Sequence, residues 1–198
     1  MTDPRPNLIF ILADDLGYAD LGCTGARDAH NNATDVSPRL DAMAAQGLRF
    51  TRGYSNSSVC SPTRFALATG RWQYRLRGAA EEPIASVHGD KVLGLPPDHP
   101  TVASLLRDAG YATALVGKWH LGYPPHFGPR LSGYEEFYGF HAGGADYFAH
   151  CDPLGRPDFW INEEPHTEDG YLTDLLSRRA VDFVKRQSAE QPFYLSLH

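Results

Sequence analysis

Cys60 begins the segment whose residue types best suit chemistry on an anion, because Pro62 and Arg64 follow it at close spacing. Proline belongs in the first turn of a helix, so Cys60 would lie where unpaired N–H groups and the helix dipole attract negative charge. Arg64 would follow about one turn later, where its guanidinium could hold a tetrahedral oxyanion. The spacing alone nevertheless favours an ordinary buried thiol beside a surface arginine.

Lys118 and His120 form a second group, in the segment Gly-Lys-Trp-His that follows a predicted strand over residues 111–116. Ligands of open α/β sheets gather beyond the carboxyl ends of strands. Side chains of a strand alternate, so Lys118 and His120 could project to the same side. The lysine would supply positive charge and the histidine would transfer a proton. A solvated lysine and a core histidine are an equally good interpretation.

Asp14 and Asp15 form the third group, directly after an apolar strand predicted over residues 7–13. Adjacent carboxylates repel each other unless a cation lies beside them. Their hard oxygen atoms suit Ca²⁺ or Mg²⁺. On the pair alone, however, a helix N-cap or a turn is the favoured interpretation.

The stretch over residues 124–165 is rich in glycine, proline and aromatic residues and predicts long loops over a binding face. His141, Asp146 and His150 could line a pocket there, although most histidines of such loops are structural or merely exposed. The aromatic residues of the stretch would suit a sugar or an aryl group, or they could serve packing alone.

The elements that would position these residues alternate between strands and helices, which indicates an α/β fold with a mostly parallel sheet. Strands are predicted over residues 7–13, 48–54, 111–116 and 192–198, and helices over residues 37–46, 61–69, 101–109 and 171–186. In the helix over residues 37–46, the spacing of Leu40, Met43 and Ala44 predicts a buried face.

Composition narrows the class of protein. The chain has 198 residues, a net charge of −6 and no block of Lys or Arg, which argues against nucleic-acid binding. Its three cysteines are too few for a disulfide framework. Neither a signal peptide nor a membrane span is recognisable, so we expect a cytoplasmic chain as given, or a periplasmic or secreted one if a signal has been removed. The chain stops inside an apolar strand pattern, which predicts a truncation.

Together the three groups resemble the sulfatase family. The family's Cys-x-Pro-x-Arg motif is matched from Cys60 to Arg64, its Gly-Lys-x-His motif by residues 117–120, and its Asp-Asp-x-Gly motif by residues 14–17, in the family's order. The resemblance spans nearly the whole chain. It implies the alkaline-phosphatase-like α/β fold, with a mostly parallel central sheet flanked by helices. It also makes residues 1–198 the N-terminal part of a sulfatase catalytic domain whose C-terminal part is missing.

The resemblance implies a sulfuric ester hydrolase of the arylsulfatase type. A formylglycine-generating enzyme would oxidise Cys60 to an aldehyde, whose hydrate attacks sulfur with one hydroxyl and expels sulfate with the other. Arg64 would support the hydrate, Lys118 would contact hydrate and sulfate, and His120 would assist deprotonation in the substrate-binding site. Asp14, Asp15 and residue 60 would bind Ca²⁺, or alternatively Mg²⁺.

Some parts of the family pattern are not matched. The remaining metal ligands and a second lysine are expected beyond residue 198. His198 has no proline after it and comes about five positions early for the leaving-group histidine, so we do not assign it that role. Two alternatives therefore stay open. One is a remnant that binds an anion or a partner without turnover, and the other is a phosphate-ester hydrolase of the same superfamily.

Overall fold

The computed structural model describes residues 5–76, 83–85 and 92–198. These residues fall into two compact units. Residues 5–12 and the described part of 56–198 form the first, and residues 13–55 form the second. No helix of the described ranges is long and apolar enough to cross a membrane.

The first unit is built on a six-stranded sheet. Its strands are β1 (Leu8–Ile11), β2 (Ala112–Lys118), β3 (Glu136–Phe140), β4 (Trp160–Ile161), β5 (Glu164–Pro165) and β6 (Phe193–Leu197). They lie in the order β1-β6-β2-β3-β4-β5. The neighbours from β1 to β3 are parallel, and only the short β4 and β5 are antiparallel. The predicted α/β class with a mostly parallel sheet is confirmed.

Helices cover both faces of this sheet. The α-helices of the described residues are α2 (Cys60–Thr69), α3 (Val102–Asp108) and α4 (Leu172–Arg186) in this unit, and α1 (Pro38–Gln46) in the second unit. Because strand side chains alternate, Leu115 of β2 packs in one core cluster with Phe65 of α2 and Ala103 of α3. Its neighbour Val116 packs in the other cluster with Phe183 of α4. The sheet therefore fixes α2 on a different face from α4.

Local signals explain where the helices begin and end. The backbone N–H of Ser104 donates to the Thr101 hydroxyl, and the backbone N–H of Thr101 donates to the Ser104 hydroxyl. This reciprocal pair is a capping box at the start of α3. Gly70 ends α2 with a φ of 65°, in the left-handed region that favours glycine. All four predicted helices are present, with ends shifted by one residue at most.

The second unit contains α1, whose predicted buried face is wrong. Helix α1 has no buried residue, and Met43 is 62% exposed. Polar contacts tie the helix to the preceding turn instead. The Ser37 hydroxyl donates to Asp41 Oδ1 at 3.0 Å, and the same carboxylate oxygen accepts the backbone N–H of Cys23 at 2.7 Å.

Two other expectations fail. Residues 48–54 form no strand, and their large apolar side chains are exposed, because no described strand pairs with them. Residues 124–165 are not all loop, since they contain β3, β4 and β5. Strand β3 extends the parallel sheet from β2 with Phe137 opposite Leu115. Its run Glu-Phe-Tyr-Gly-Phe lacks the alternation of a half-exposed strand because four of its five residues are buried.

Candidate active site

Helix α2 places Cys60 at its first position. The thiol is free of disulfide bonds and partly exposed. The next residue, Ser61, is fully buried, and its hydroxyl accepts the backbone N–H of Ile84 at 2.9 Å. The same hydroxyl lies 3.4 Å from Nε2 of His120. The start of α2 is thereby fastened against the segment that follows β2.

Arg64 is buried one turn further along α2, with 2% of its surface exposed. Its Nη1 donates to the backbone carbonyl of Lys118 at 3.0 Å and lies 2.8 Å from Nδ1 of His198. The expectation of a surface arginine beside a buried thiol is wrong, because Arg64 is buried and Cys60 is partly exposed. A buried guanidinium in a water-poor setting acts on nearby charge more strongly than an exposed one.

Lys118 is the last residue of β2, and His120 follows two residues later; both side chains are buried. Nε2 of His120 lies 2.8 Å from the carbonyl oxygen of Ile84, which can only accept, so Nε2 is placed to donate a proton to it. His120 has a φ of 58°. The strand alternation used to place Lys118 and His120 on one side therefore does not extend to His120.

Two glycines permit the close packing around this segment. A Cβ on Gly117 would overlap the backbone carbonyl of His198, and its φ of 109° is in the range that favours glycine. A Cβ on Gly143 would lie 2.7 Å from the His120 ring. Side chains at these positions would push apart β2, the end of β6 and the loop after β3.

Asp14 and Asp15 belong to the second unit, and both are exposed. Asp15 has a φ of 57°, so it occupies a turn directly after the first strand. The oxygen donors of the two residues fit a hard divalent cation. Among the described residues, no group of three or more His, Cys, Asp or Glu side chains gathers around a common point. The assignment of Asp14, Asp15 and Cys60 as metal ligands stays a prediction.

Of the loop histidines, His141 lines a cavity beside Trp160, as predicted. His141 is buried, with ring centroids 5.1 Å from Phe137 and 5.2 Å from Trp160. This burial lowers the pKa of His141 to about 3, so the ring is neutral. His150 contacts the backbone carbonyl of Gly170 at 3.0 Å.

Asp146 also serves local structure. Its carboxylate accepts the backbone N–H groups of Phe148 and Ala149. These hydrogen bonds lower the pKa of the Asp146 carboxyl. The carboxylate therefore stabilises the turn that follows it.

Sequence reasoning missed three contributors to this arrangement. Ser61 and the carbonyl of Ile84 hold the His120 ring, and His198 contacts Arg64. The position of Ser61 beside Cys60 is a signal that could have found it. Ile84 and His198 act across separations of 36 and 134 residues, for which the sequence offers no local signal.

Comparison with known proteins decides the family. The sequence model described as Sulfatase matches residues 6–198. The chain belongs to the sulfatase family. Human N-acetylgalactosamine-6-sulfatase is 36% identical over 206 residues, covering 96% of this chain and 38% of that protein. Human arylsulfatase A is 42% identical over 157 residues, covering 77% of this chain and 29% of that protein.

Solved sulfatase-fold structures agree. The crystal structure of Ps i-CgsB superposes with a TM-score of 0.85 at 33% identity, covering 98% of this chain and 45% of that one. The same protein in complex with k-i-k-neocarrahexaose gives a TM-score of 0.81. The alkaline-phosphatase-like fold is thereby confirmed. Membership of the family implies a formylglycine modification and a divalent metal in general terms. This chain spans less than half the length of these relatives.

Proposed function

We propose that the protein carrying this chain is a sulfuric ester hydrolase, with Cys60 as the precursor of its nucleophile. One observation carries the proposal. Two sequence motifs meet at the carboxyl end of β2, because Arg64 donates to the carbonyl of Lys118 and Ser61 contacts His120. The helix that begins with Cys60 is therefore fixed beside the residues that would bind the sulfate group.

The roles of the side chains follow from charge and position. Sulfuryl transfer concentrates negative charge on oxygen, and preorganised positive groups in a poorly hydrated site stabilise such charge. Arg64 and Lys118, both buried, supply that positive charge. His120, whose Nε2 lies 3.4 Å from the Ser61 hydroxyl beside residue 60, would assist deprotonation of the attacking group. Formylglycine at residue 60 would supply two hydroxyls when hydrated, one to attack sulfur and one to release sulfate.

For the metal we propose Ca²⁺, with Mg²⁺ as the alternative. Asp14 and Asp15 offer carboxylate oxygens, and Ca²⁺ takes about six to eight oxygen ligands, so these residues would supply only part of the set. The cation would act as a Lewis acid on the sulfate oxygens when bound.

For the substrate we propose a sulfated carbohydrate. The relative crystallised with a neocarrahexaose and the relative named for N-acetylgalactosamine-6-sulfate both point to this class. A formylglycine-generating enzyme would be the partner that activates residue 60.

The decisive experiment is coexpression with a formylglycine-generating enzyme, followed by mass spectrometry of the peptide that contains Cys60. We expect the thiol to be converted to an aldehyde. The peptides with Cys23 and Cys151 serve as controls within the same digest and are expected to keep their thiols. The Arg64→Lys variant retains charge but loses the planar guanidinium whose Nη1 contacts both the Lys118 carbonyl and His198, so it is expected to slow release of sulfate from nitrophenyl sulfate.

Two outcomes would count against the proposal. An unmodified Cys60, under conditions that convert a control sulfatase, would remove the nucleophile and favour a non-catalytic anion-binding protein. A modified protein that releases phosphate from nitrophenyl phosphate faster than sulfate from nitrophenyl sulfate would favour the phosphate-ester alternative.

A further inference from the structure

We propose that His198 is a positioning residue that holds Arg64 through a neutral imidazole protonated at Nε2. The functional consequence rests on the proposed function, whereas the structural claim does not. His198 lies at the end of β6, next to the carboxyl end of β2 where the two motifs meet.

The contact with the Arg64 guanidinium indicates whether Nδ1 of His198 carries a proton. Nη1 of Arg64 carries two hydrogens and accepts none. The carbonyl oxygen of Lys118 at 3.0 Å and Nδ1 of His198 at 2.8 Å both lie within hydrogen-bond distance of Nη1, and its two hydrogens are enough for both contacts. A hydrogen bond to Nδ1 requires a lone pair on that atom. The imidazole must then carry its single proton on Nε2.

The opposite edge of the ring fits this tautomer. Nε2 of His198 lies 2.7 Å from the hydroxyl oxygen of Ser196, which can accept its proton. The Tyr194 hydroxyl also donates to Ser196, at 3.4 Å. A chain of hydrogen bonds therefore runs from these hydroxyls through the imidazole to the guanidinium.

The other protonation states conflict with the same distances. Nδ1 also lies 3.0 Å from the Lys118 carbonyl oxygen, to which a proton on Nδ1 could be donated. In the Nε2–H form these two acceptors share the positively charged Arg64 donor that lies beside both. A proton on Nδ1 would instead leave two N–H donors facing each other at the 2.8 Å separation from Arg64. A doubly protonated ring would add a second positive charge at that distance, and arginine does not lose its own charge in proteins. The position of Arg64 thus selects the neutral Nε2–H form.

The functional effect acts through Arg64. A guanidinium secured at Nη1 by two acceptors keeps its orientation, and α2 fixes that orientation relative to Cys60, which begins the same helix. Without the imidazole, one of the two acceptors is lost. Misplacement of a positioning group by about 1 Å can cost about a hundredfold in rate, so a loss of ten- to a hundredfold is expected on removal of the ring.

The first test needs no turnover. Long-range ¹H–¹⁵N correlation spectra of the wild-type chain report which ring nitrogen of His198 carries hydrogen. We expect hydrogen on Nε2 and a lone pair on Nδ1 near neutral pH. Hydrogen on Nδ1, or on both nitrogens, would overturn the proposal. Because sulfate release is not measured, this result is independent of whether the protein is a sulfatase.

Variants supply the second test. In His198→Asn the side-chain carbonyl can replace Nδ1 as an acceptor, whereas His198→Leu removes the acceptor but keeps apolar bulk. We expect the Nε–H signal of Arg64 to exchange with water faster in His198→Leu and to be restored in His198→Asn. The exposed Arg71 provides the reference signal. An Arg64 signal that is the same in the wild type and in the well-folded leucine variant would contradict the proposal.

A third test measures kcat and KM for nitrophenyl sulfate with the same two variants, in protein that carries formylglycine at residue 60. His198→Leu should lower kcat about tenfold or more, and His198→Asn should recover most of it. Equal losses in both variants would show that the ring contributes packing alone.

Discussion

Helices α1 and α2 have similar sequences at their ends and opposite surroundings. Each has proline in its first turn and is followed by glycine. Helix α2 buries five residues, including Phe65 and Arg64, whereas α1 buries none. Capping residues and helix breakers thus determine where a helix begins and ends, but the burial of its faces depends on what the rest of the fold places beside it.

The same contrast separates the candidate site residues. Arg64, Lys118 and His120 of the first unit are buried, while Asp14 and Asp15 of the second unit are exposed. We therefore expect changes in the first unit to alter stability as well as chemistry. A change at the exposed Asp15 should alter metal binding with little effect on stability.

The largest expected difference is between Phe65→Ala and Met43→Ala. Phe65 has no exposed surface and packs in the core cluster under α2, so its truncation leaves a cavity and should lower the free energy of unfolding by about 3–5 kcal/mol. Met43 is exposed on α1, and its truncation should change the free energy of unfolding by about 0.5 kcal/mol or less. Urea unfolding followed by circular dichroism measures both. If both variants lost the same free energy of unfolding, the Met43 side chain would have to be buried in solution.

The next largest expected effect is on the acid dependence of the free energy of unfolding, which should differ between the wild type and His141→Phe. Burial lowers the pKa of His141 to about 3 from its ordinary value of 6.5, so the unfolded chain binds a proton in this range that the folded chain does not. The free energy of unfolding is therefore unaffected by this group above about pH 6.5. It decreases as the pH falls from there towards 3, by at most about 1.4 kcal/mol per pH unit. His141→Phe keeps an aromatic ring without the titrating group.

The measurement is the free energy of unfolding at several pH values between about 7 and 5. We expect His141→Phe to have a shallower acid slope than the wild type. An unchanged slope in His141→Phe would show that this ring is hydrated and protonated in the folded protein.

Much of the fold was predictable because its signals are local. Proline, threonine and glycine mark the ends of α2 and α3 within one residue, and apolar runs mark β1, β2 and β6. Strand β3 was missed because its aromatic run has no polar alternation and lies among glycines and prolines. Residues 48–54 alternate as a strand does, yet pairing requires a partner that no sequence pattern specifies.

The grouping of the candidate site residues in space was predictable to a similar degree. The motifs identified Cys60, Arg64, Lys118 and His120 as one group, and the fold brings the helix of the first two against the segment of the last two. The burial of Arg64 was not predictable, since arginine is usually exposed and its partners lie 54 and 134 residues away in the sequence.

Helix caps give a smaller and more local comparison. The Thr101 hydroxyl accepts the backbone N–H of Ser104 at 2.9 Å and donates to the Ser132 carbonyl at 2.6 Å, whereas Ser37 makes no capping hydrogen bond to α1. Thr101→Ala should therefore lower the free energy of unfolding by about 1–2 kcal/mol. Thr101→Ser retains the hydroxyl and should recover most of that loss in thermal unfolding. If Thr101→Ser were as unstable as Thr101→Ala, the loss of stability would come from the missing methyl group and not from the hydroxyl.

The smallest expected effect on stability is at Asp15, where the comparison between the two units can be tested directly. Asparagine tolerates the left-handed φ of 57° observed there, so Asp15→Asn removes the charge without straining the turn. In metal-free buffer we expect the free energy of unfolding to change by about 0.5 kcal/mol or less, because the side chain is exposed. Calcium bound per molecule of purified protein, measured by atomic emission, should nevertheless fall. Unchanged calcium content would refute the metal assignment. A large loss of stability without metal would show instead that the carboxylate supports the fold, as the buried groups of the first unit do.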